Sequence, residues 1–527
     1  MEDDKKIENP PMDSRKRLPL QSNRKVVFFY AMKRILTTAI ALLFVASAFA
    51  QGSDDAYRFS QTFYQGTAKA LGMGNALGAV GGDMTAICIN PAGMGLYRSD
   101  EITFSLDLLD NLHHSSYYGE TANANKFRLT LPNFGYVNAK QRSNYRKLRF
   151  TQFGIGLTRT NDFNLHTYAK GTNPTSSRID NYLQQIDGLS PTDIENCFPM
   201  DIYPAWETYL IDIFQDSIGD YYSSPVPQGG IRQSQENAFK GRSEEWTFAG
   251  SMNFSERFFI GASVGLQHVK RVGTRTFEES MPEDESAHVG TDFNQWSYTE
   301  EISTKGMGLN VKLGFIYHAN RWLRLGAAFH SPTLYKFDES WQTETESQIN
   351  WITRKYISPE SHYEYNFISP LKAMGSLAFV IGQQGLVSLD AEYTNFGAAR
   401  FKEAISDMDN EDVHIYYNSV NANIKANYSH TLNFRLGTEW RLQSCYLRLG
   451  AGYYGSPYGI GKTDGSTKKV AVGIGLPVSE ITTFDFAYEL TYRKDEFNLY
   501  DAGYLEINPI TQRQFKSNFA VTLKMRF

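Results

Sequence analysis

The feature that most constrains this chain is a strict two-residue alternation that starts near residue 100 and recurs to the last residue. Between Phe258 and Leu266, one face carries Phe258, Ile260, Ala262, Val264 and Leu266, and the other Phe259, Gly261, Ser263 and Gly265. Elsewhere the second face is charged. Val387, Leu389, Ala391 and Tyr393 alternate with Ser388, Asp390, Glu392 and Thr394, and Phe484, Phe486, Tyr488 and Leu490 alternate with Asp485, Ala487, Glu489 and Thr491. Successive side chains of a strand point to opposite faces, so this is a pattern of strands with one apolar side. Alternation alone fits both a soluble sandwich and a membrane barrel.

Segment and connection lengths separate the two. Fourteen candidate strands lie between residues 101 and 527, among them 101–109, 127–138, 321–340, 361–381, 420–441 and 514–527. Most have room for the ~9–11 residues that carry a tilted strand across a bilayer. The connections at Ser255-Glu256-Arg257, Ala319-Asn320, Gly382 to Gly385 and Gln443 are tight, whereas those at 341–360, 397–419, 455–466 and 495–513 are long and polar. Short turns on one side and long loops on the other mark a barrel of the outer-membrane type, and an even strand count returns both ends to the short-turn side.

Lipid supplies no hydrogen-bond partners, so such a sheet must close on itself. Its inward face can then hold Lys312, Arg324, Asp390, Glu392, Arg435, Arg448, Asp485, Glu489, Lys524 and Arg526 away from hydrocarbon. The mixed signs predict a lumen crossed by ion pairs. Trp246 and Trp296 near the long-loop ends, with Trp322 and Trp440 near the short-turn ends, are spaced for two aromatic girdles.

The N-terminal region supports export. Lys33 and Arg34, the apolar run Ile35 to Ala46 and the small-x-small site Ala48-Phe49-Ala50 form a secretion signal over 32–50. Residues 1–31 read as an upstream extension before an internal start at Met32. With 52 basic and 57 acidic side chains there is no cationic excess, and nucleic acid is not an expected partner. Cys88, Cys197 and Cys445 are too few and too scattered for a disulfide framework.

Residues 51–99 precede the first strand and are dominated by small side chains from Gly66 to Leu96, including the turn signal Asn90-Pro91 and then Ala92-Gly93. Gly72, Gly74 and Gly78 lack the dinucleotide spacing and follow no strand, which excludes that reading. The connection at 160–243 is too long to be passive. Ile179, Tyr182, Leu183 and Ile186 recur at helical spacing after candidate caps at Ser176 and Ser177, and Trp206, Tyr209, Leu210, Ile213 and Phe214 form a second amphipathic run. Two readings stand for these: helices packed on one another as a lid, or an outer landing site for a hydrophobic ligand.

With its export signal, the small-residue stretch containing Asn90-Pro91-Ala92-Gly93, fourteen strands and a terminal Phe527, the chain resembles the FadL/TodX family of outer-membrane transport proteins. The loop and the style of Gly66 to Leu96 resemble members from Bacteroidetes-type bacteria. The resemblance implies an all-β, 14-stranded antiparallel transmembrane β-barrel over 100–527, with the N-terminal segment as a hatch in the lumen and a helical extracellular loop. It implies passive uptake of hydrophobic compounds such as long-chain fatty acids or aromatic hydrocarbons, often through a lateral gap in the wall. Asn90, Pro91 and Ala92 match the family's hatch motif. Phe519, Val521, Leu523, Met525 and Phe527 match the alternating signal read by the barrel-insertion machinery. Expected partners are outer-membrane lipid, a hydrophobic small molecule and that machinery. The same scaffold also serves type IX secretion, which leaves an envelope protein partner as the alternative.

No cofactor, metal or catalytic role is expected. The histidines are dispersed, no nucleophile motif accompanies them, and the adjacent His113-His114 reads as solvated loop. Asp485 and Glu489 share a face four residues apart and are expected to meet basic side chains opposite.

Overall fold

Alternation turns one face of every strand toward lipid and the other toward a lumen, and the computed structural model realises this as a closed wall. It describes residues 52–142, 147–215, 220–282, 292–404, 406, 410–459, 463–500 and 507–527. The upstream extension 1–31 and the export signal 32–50 lie outside them. The wall staves are Glu101–Tyr117, Glu120–Gln141, Leu148–Asp162 with Leu165–Asn173, Ile231–Phe254, Phe258–Ser280 and Phe293–His318. They continue as Leu323–His330 with Leu334–Ile349, Ser361–Ile368 with Lys372–Ile381, and Gly385–Asn395 with Arg400–Glu403. The last five are His430–Arg441, Tyr446–Tyr454, Thr467–Pro477, Thr482–Phe497 and Ile510–Arg526.

All neighbours pair antiparallel, and the first stave pairs with the last from Glu101↔Arg526 to Ser116↔Thr511, so the sheet closes on itself. The sheet holds 19 strand segments. Four staves are split in two and Ile352–Ile357 is an added hairpin arm, which leaves fourteen crossings.

The outward face sorts by height. In the fifth stave Phe258, Ile260, Val264 and Leu266 are exposed, and beyond them the exposed positions become His268, Lys270 and Glu278. The sixth runs Phe315, Leu313, Val311, Leu309 and Met307, then Lys305 and Glu301. About nine apolar residues match the thickness a tilted strand must cross, so the remaining turns of both staves stand above the bilayer. Trp322 and Trp440 are exposed at the short-turn rim, as an interfacial girdle requires. Trp296 is not in a girdle: it is buried and donates from Nε1 to Glu279 at 2.7 Å.

Above the lipid the alternation rule relaxes, because outward residues meet water, and there the sequence reading needs correction. The first stave runs to Tyr117 and turns at Tyr118-Gly119 into the second, so His113 and His114 lie in a strand and point to opposite faces. They cannot share a metal. The expected loop 160–243 is narrower: Leu165–Asn173 and Ile231 onward are wall, and only 174–230 leaves it. Within it, Arg178–Ile186 is a helix capped by Ser177, whose side chain accepts from Ile179 N at 3.1 Å. Pro191–Cys197 and Ile202–Glu207 are helices too. The run from Trp206 to Phe214 is not one helix. It stops at Glu207, Tyr209 takes φ 60°, and Asp212–Gln215 pairs with Asp220–Ser223.

The expected strand at 420–441 begins only at His430. Asn410 caps a helix over Glu411–Asn427, where Tyr416, Tyr417, Val420 and Ile424 recur on the buried face. Segments 321–340 and 361–381 are each broken, at Ser331-Pro332-Thr333 and Ser369-Pro370-Leu371, where proline cannot donate to the ladder.

Candidate functional site

The lumen is built around residues 52–97. Helices Ser53–Ser60, Ala68–Gly72 and Ala86–Ile89 and a 3-10 turn Pro91–Leu96 follow one another inside the wall, and nearly every residue from Tyr64 to Gly95 is buried. Small side chains on both sides allow this approach. A Cβ on Gly261 would collide with the Pro91 carbonyl, and one on Gly314 with the Asn90 side chain.

Asn90 does three things. Its Oδ1 accepts from Ala92 N at 3.1 Å, which caps the 3-10 turn, and its Nδ2 donates to Gly78 O at 2.7 Å and to Phe315 O of the sixth stave at 3.2 Å. Pro91 supplies the fixed φ at the first turn, Ala92 is fully buried, and Gly93 packs on Gly81. Further tethers reach most of the circumference. Gly78 N donates to Asp390 Oδ2 (3.0 Å), Ala68 N to Thr522 Oγ1 (2.7 Å), Gln152 Nε2 to Gly95 O (3.1 Å), and His330 Nε2 contacts Ile89 O (2.8 Å).

Of the inward charges expected from the sequence, all but Arg324 meet an opposite charge among the described residues. Lys524 bridges Asp83 of the segment (2.9 Å) and Asp485 (3.1 Å), while Arg448 takes Asp485 and Glu439, both at 2.6 Å. Glu489 pairs with Lys469, Arg435 with Glu392, and Lys312 with Glu245. Asp485 and Glu489 therefore meet basic partners, as their shared face predicts.

Above this zone a chamber of about 200 Å3 opens between Arg58, Gln61, Phe63 and Gln65 of the segment and the wall. A second space of about 400 Å3 shares Arg58, Arg271, Phe239 and Arg493 with it. The wall beside the chamber is incomplete. The ladder between the second and third staves ends at Asn133↔Thr158. Pro132 follows immediately in the second stave and has no N–H to give. The third stave turns its backbone inward instead: Phe63 N donates to Thr160 O (2.7 Å) and Gln65 N to Arg159 O (2.9 Å). Over 120–132 the second stave keeps pairing with the first but not with the third.

This seam sits within the lipid belt, since Leu129 is level with Leu108 and Phe519. Phe127, Leu129 and Leu131 are exposed along its lip. Lys126 Nζ crosses it to Phe239 O at 2.9 Å. Thr130 Oγ1, Asn133 Oδ1 and Arg159 Nε and Nη1 behind it have no hydrogen-bond partner among the described residues.

The top of the lumen is covered by 174–215 and 220–230. Its core gathers Ile179, Tyr182, Ile186, Ile202 and Leu210 against Phe277, Trp296 and Tyr298 of the wall. Glu279 fastens it, accepting from Ser177 Oγ (2.6 Å), Arg178 N (2.9 Å), Gln233 Nε2 (2.7 Å) and Trp296 Nε1 (2.7 Å). Burial pushes the Asp201 carboxyl in this lid up to about 6.

The five residues of the expected landing site do not share a face. Leu210 is in the lid core and Trp206 packs on Tyr222, whereas Tyr209, Ile213 and Phe214 are exposed. Phe214 lies 5.7 Å from Tyr221, and Arg354 covers the Tyr209 ring at 4.6 Å. The neighbouring hairpin adds exposed Trp351, Ile352 and Ile357, which sequence reasoning missed. On the last stave Phe519 and Phe527 are exposed and Val521, Leu523 and Met525 half-buried on the outward face, opposite buried Ala520, Thr522 and Lys524.

A wall closed on itself with an apolar belt, a tethered inner segment and a seam at belt height defines a transmembrane barrel of the outer-membrane type. The fold is that of the FadL/TodX-type channels. The crystal structure of a Pseudomonas aeruginosa FadL homologue superimposes with a TM-score of 0.56 at 12% identity, covering 89% of this chain and 100% of that one. The P. putida toluene transporter TodX does so with a TM-score of 0.50 at 12% identity, covering 89% and 99%. No family model and no curated protein matches by sequence.

Proposed function

We propose that this protein is an outer-membrane channel for passive uptake of hydrophobic or amphipathic compounds, which leave the lumen sideways through the seam between the second and third staves. The observation that carries this reading is the seam itself. It interrupts the hydrogen-bonded wall at belt height, beside the chamber, while the N-terminal segment below is tethered to most of the wall. A solute that is more stable in hydrocarbon than in water gains free energy by leaving sideways and needs no other energy source. The resemblance to toluene transporter TodX in fold supports the same class of solute. Residues 52–97, with the Asn90 to Gly93 motif, act as the hatch, and the reading involves no catalytic step and no cofactor. Phe519, Val521, Leu523, Met525 and Phe527 present the outward stripe that insertion machinery reads.

Reconstitution into liposomes tests this. Fatty acids and aromatic hydrocarbons should accumulate faster than in empty liposomes, and no gain for any apolar solute contradicts it. A second reading, docking of an envelope protein, draws on the exposed aromatic cluster of Tyr209, Phe214, Tyr221 and Trp351 outside the membrane. Crosslinking in cells from position 214 separates the two: a stoichiometric protein partner without solute uptake favours docking.

A further inference from the structure

The chamber above the hatch is not a hydrocarbon pocket. Seven of its twenty lining residues are amides, among them Gln65, Asn111, Asn164 and Asn518. Gln65 Oε1 and Asn518 Oδ1 have no hydrogen-bond partner among the described residues, although Gln65 is 5% exposed and Asn518 2%. Such amides sit in apolar surroundings at a cost unless something polar meets them.

The cations sort in the same way. Arg58 pairs with Asp55, Lys469 with Glu489, Arg493 with Asp495 and Lys516 with Asp162. The side chain of Arg271, 5% exposed and lining both spaces, makes neither a salt bridge nor a hydrogen bond among the described residues. Glu339 is close enough for its field to reach Arg271, but it accepts from Thr304 (2.7 Å) and Tyr365 (3.1 Å). The Arg271 guanidinium stacks on Phe239 at 3.7 Å. A ring that close covers one side of the guanidinium, and its N–H groups suit a planar anion that binds in bidentate fashion.

Resting on the transport reading above, we propose that the chamber selects amphiphiles whose head carries one carboxylate together with an amide, N-acyl amino acids being the simplest case. Arg271 takes the carboxylate, Gln65 and Asn518 meet the head-group amide, and the acyl chain lies outside the chamber. A plain fatty acid satisfies Arg271 only, and an uncharged hydrocarbon neither.

The test uses the full mature chain in nanodiscs with N-palmitoylglycine, palmitate and p-xylene as probes, read by calorimetry, alongside liposome uptake. N-palmitoylglycine should bind about tenfold more tightly than palmitate, and Arg271→Gln should weaken it by about tenfold or more. Gln65→Leu, which keeps every charge, should bring N-palmitoylglycine down to the palmitate affinity. Equal affinities for the two acids in the unaltered protein overturn the proposal, as does an Arg271→Gln protein that binds both acids as tightly as the unaltered one, or a Gln65→Leu protein with unchanged preference. If palmitate and p-xylene are taken up without preference, only this inference fails. If no probe is bound or taken up, the transport reading fails with it.

Discussion

The lower and upper halves of the lumen are lined by the same fourteen staves and yet differ in kind. Around Asp83, Asp485, Lys524 and Arg448 each charge has an opposite partner, and the backbone of 66–97 is bonded to the wall at many points. Around Arg271, Gln65 and Asn518 single polar atoms lack partners among the described residues, and the wall beside them is latched by side chains, Lys126 and His166 among them, instead of by a ladder. A buried polar group that is paired holds structure together; one that is unpaired awaits a ligand or water. On the reading proposed above, the contrast divides the lumen into a floor that stays shut and a chamber that opens sideways.

The strongest way to break this division is to loosen the floor. Lys524→Met leaves Asp83 and Asp485 facing each other without their shared cation, at a cost of about 3–5 kcal/mol. Planar-bilayer conductance should rise from a closed baseline to ion leakage. A silent bilayer shows that the pairs do not hold the segment. Glu279→Ala comes next, since it strands donors on Ser177, Gln233 and Trp296, each unsatisfied group costing about 1–3 kcal/mol. Hydrogen exchange should speed up across 174–230 and remain slow in residues 66–97.

Lys126→Met removes one of the side chains that cross the seam, a bond of about 1 kcal/mol, and leaves the contact of His166 Nδ1 with Asn125 O (3.4 Å) in place. Uptake should increase by about threefold at most, with no ion leakage, whereas leakage would mean that seam and floor are not independent. The smallest effect is on the lid. Burial raises Asp201 from an ordinary 3.8 to about 6, so the closed lid holds this proton more tightly than the open one. Its contribution is full below about pH 4 and fades as pH rises through about 6. Exchange of 202–210, corrected for intrinsic rate, should show that loss, and Asp201→Asn should remove the slope.

Much of the barrel was legible in the sequence because lipid enforces alternation wherever it touches the wall. Phe258 to Leu266 and Phe519 to Phe527 could be read directly. The same reasoning failed outside the bilayer, where His113, Asn173 and Ile231 continue strands whose outward residues face water and obey no apolar rule. The helix Glu411–Asn427 escaped because Val420, Asn421, Ala422 and Asn423 also alternate, while its cap Asn410 carried the signal that was missed. For the site, small residues from Gly66 to Leu96 announced close packing. Pro132 announced a ladder break, but a seam depends on which strands pair, and that register is not written locally. The solitude of Arg271 was invisible for the same reason: its possible partners lie on other staves.

The central claim, that solute leaves through the wall while the floor stays in place, can be tested at one contact. Cys88 Sγ of the inner segment lies 3.2 Å from Thr247 Oγ1 of the fourth stave, so Thr247→Cys, with Cys197 and Cys445 changed to serine, places two thiols within bonding reach. Uptake into liposomes should be the same with that disulfide formed and reduced. Uptake that stops on oxidation and returns on reduction would mean that the segment itself must move aside, and would contradict the account.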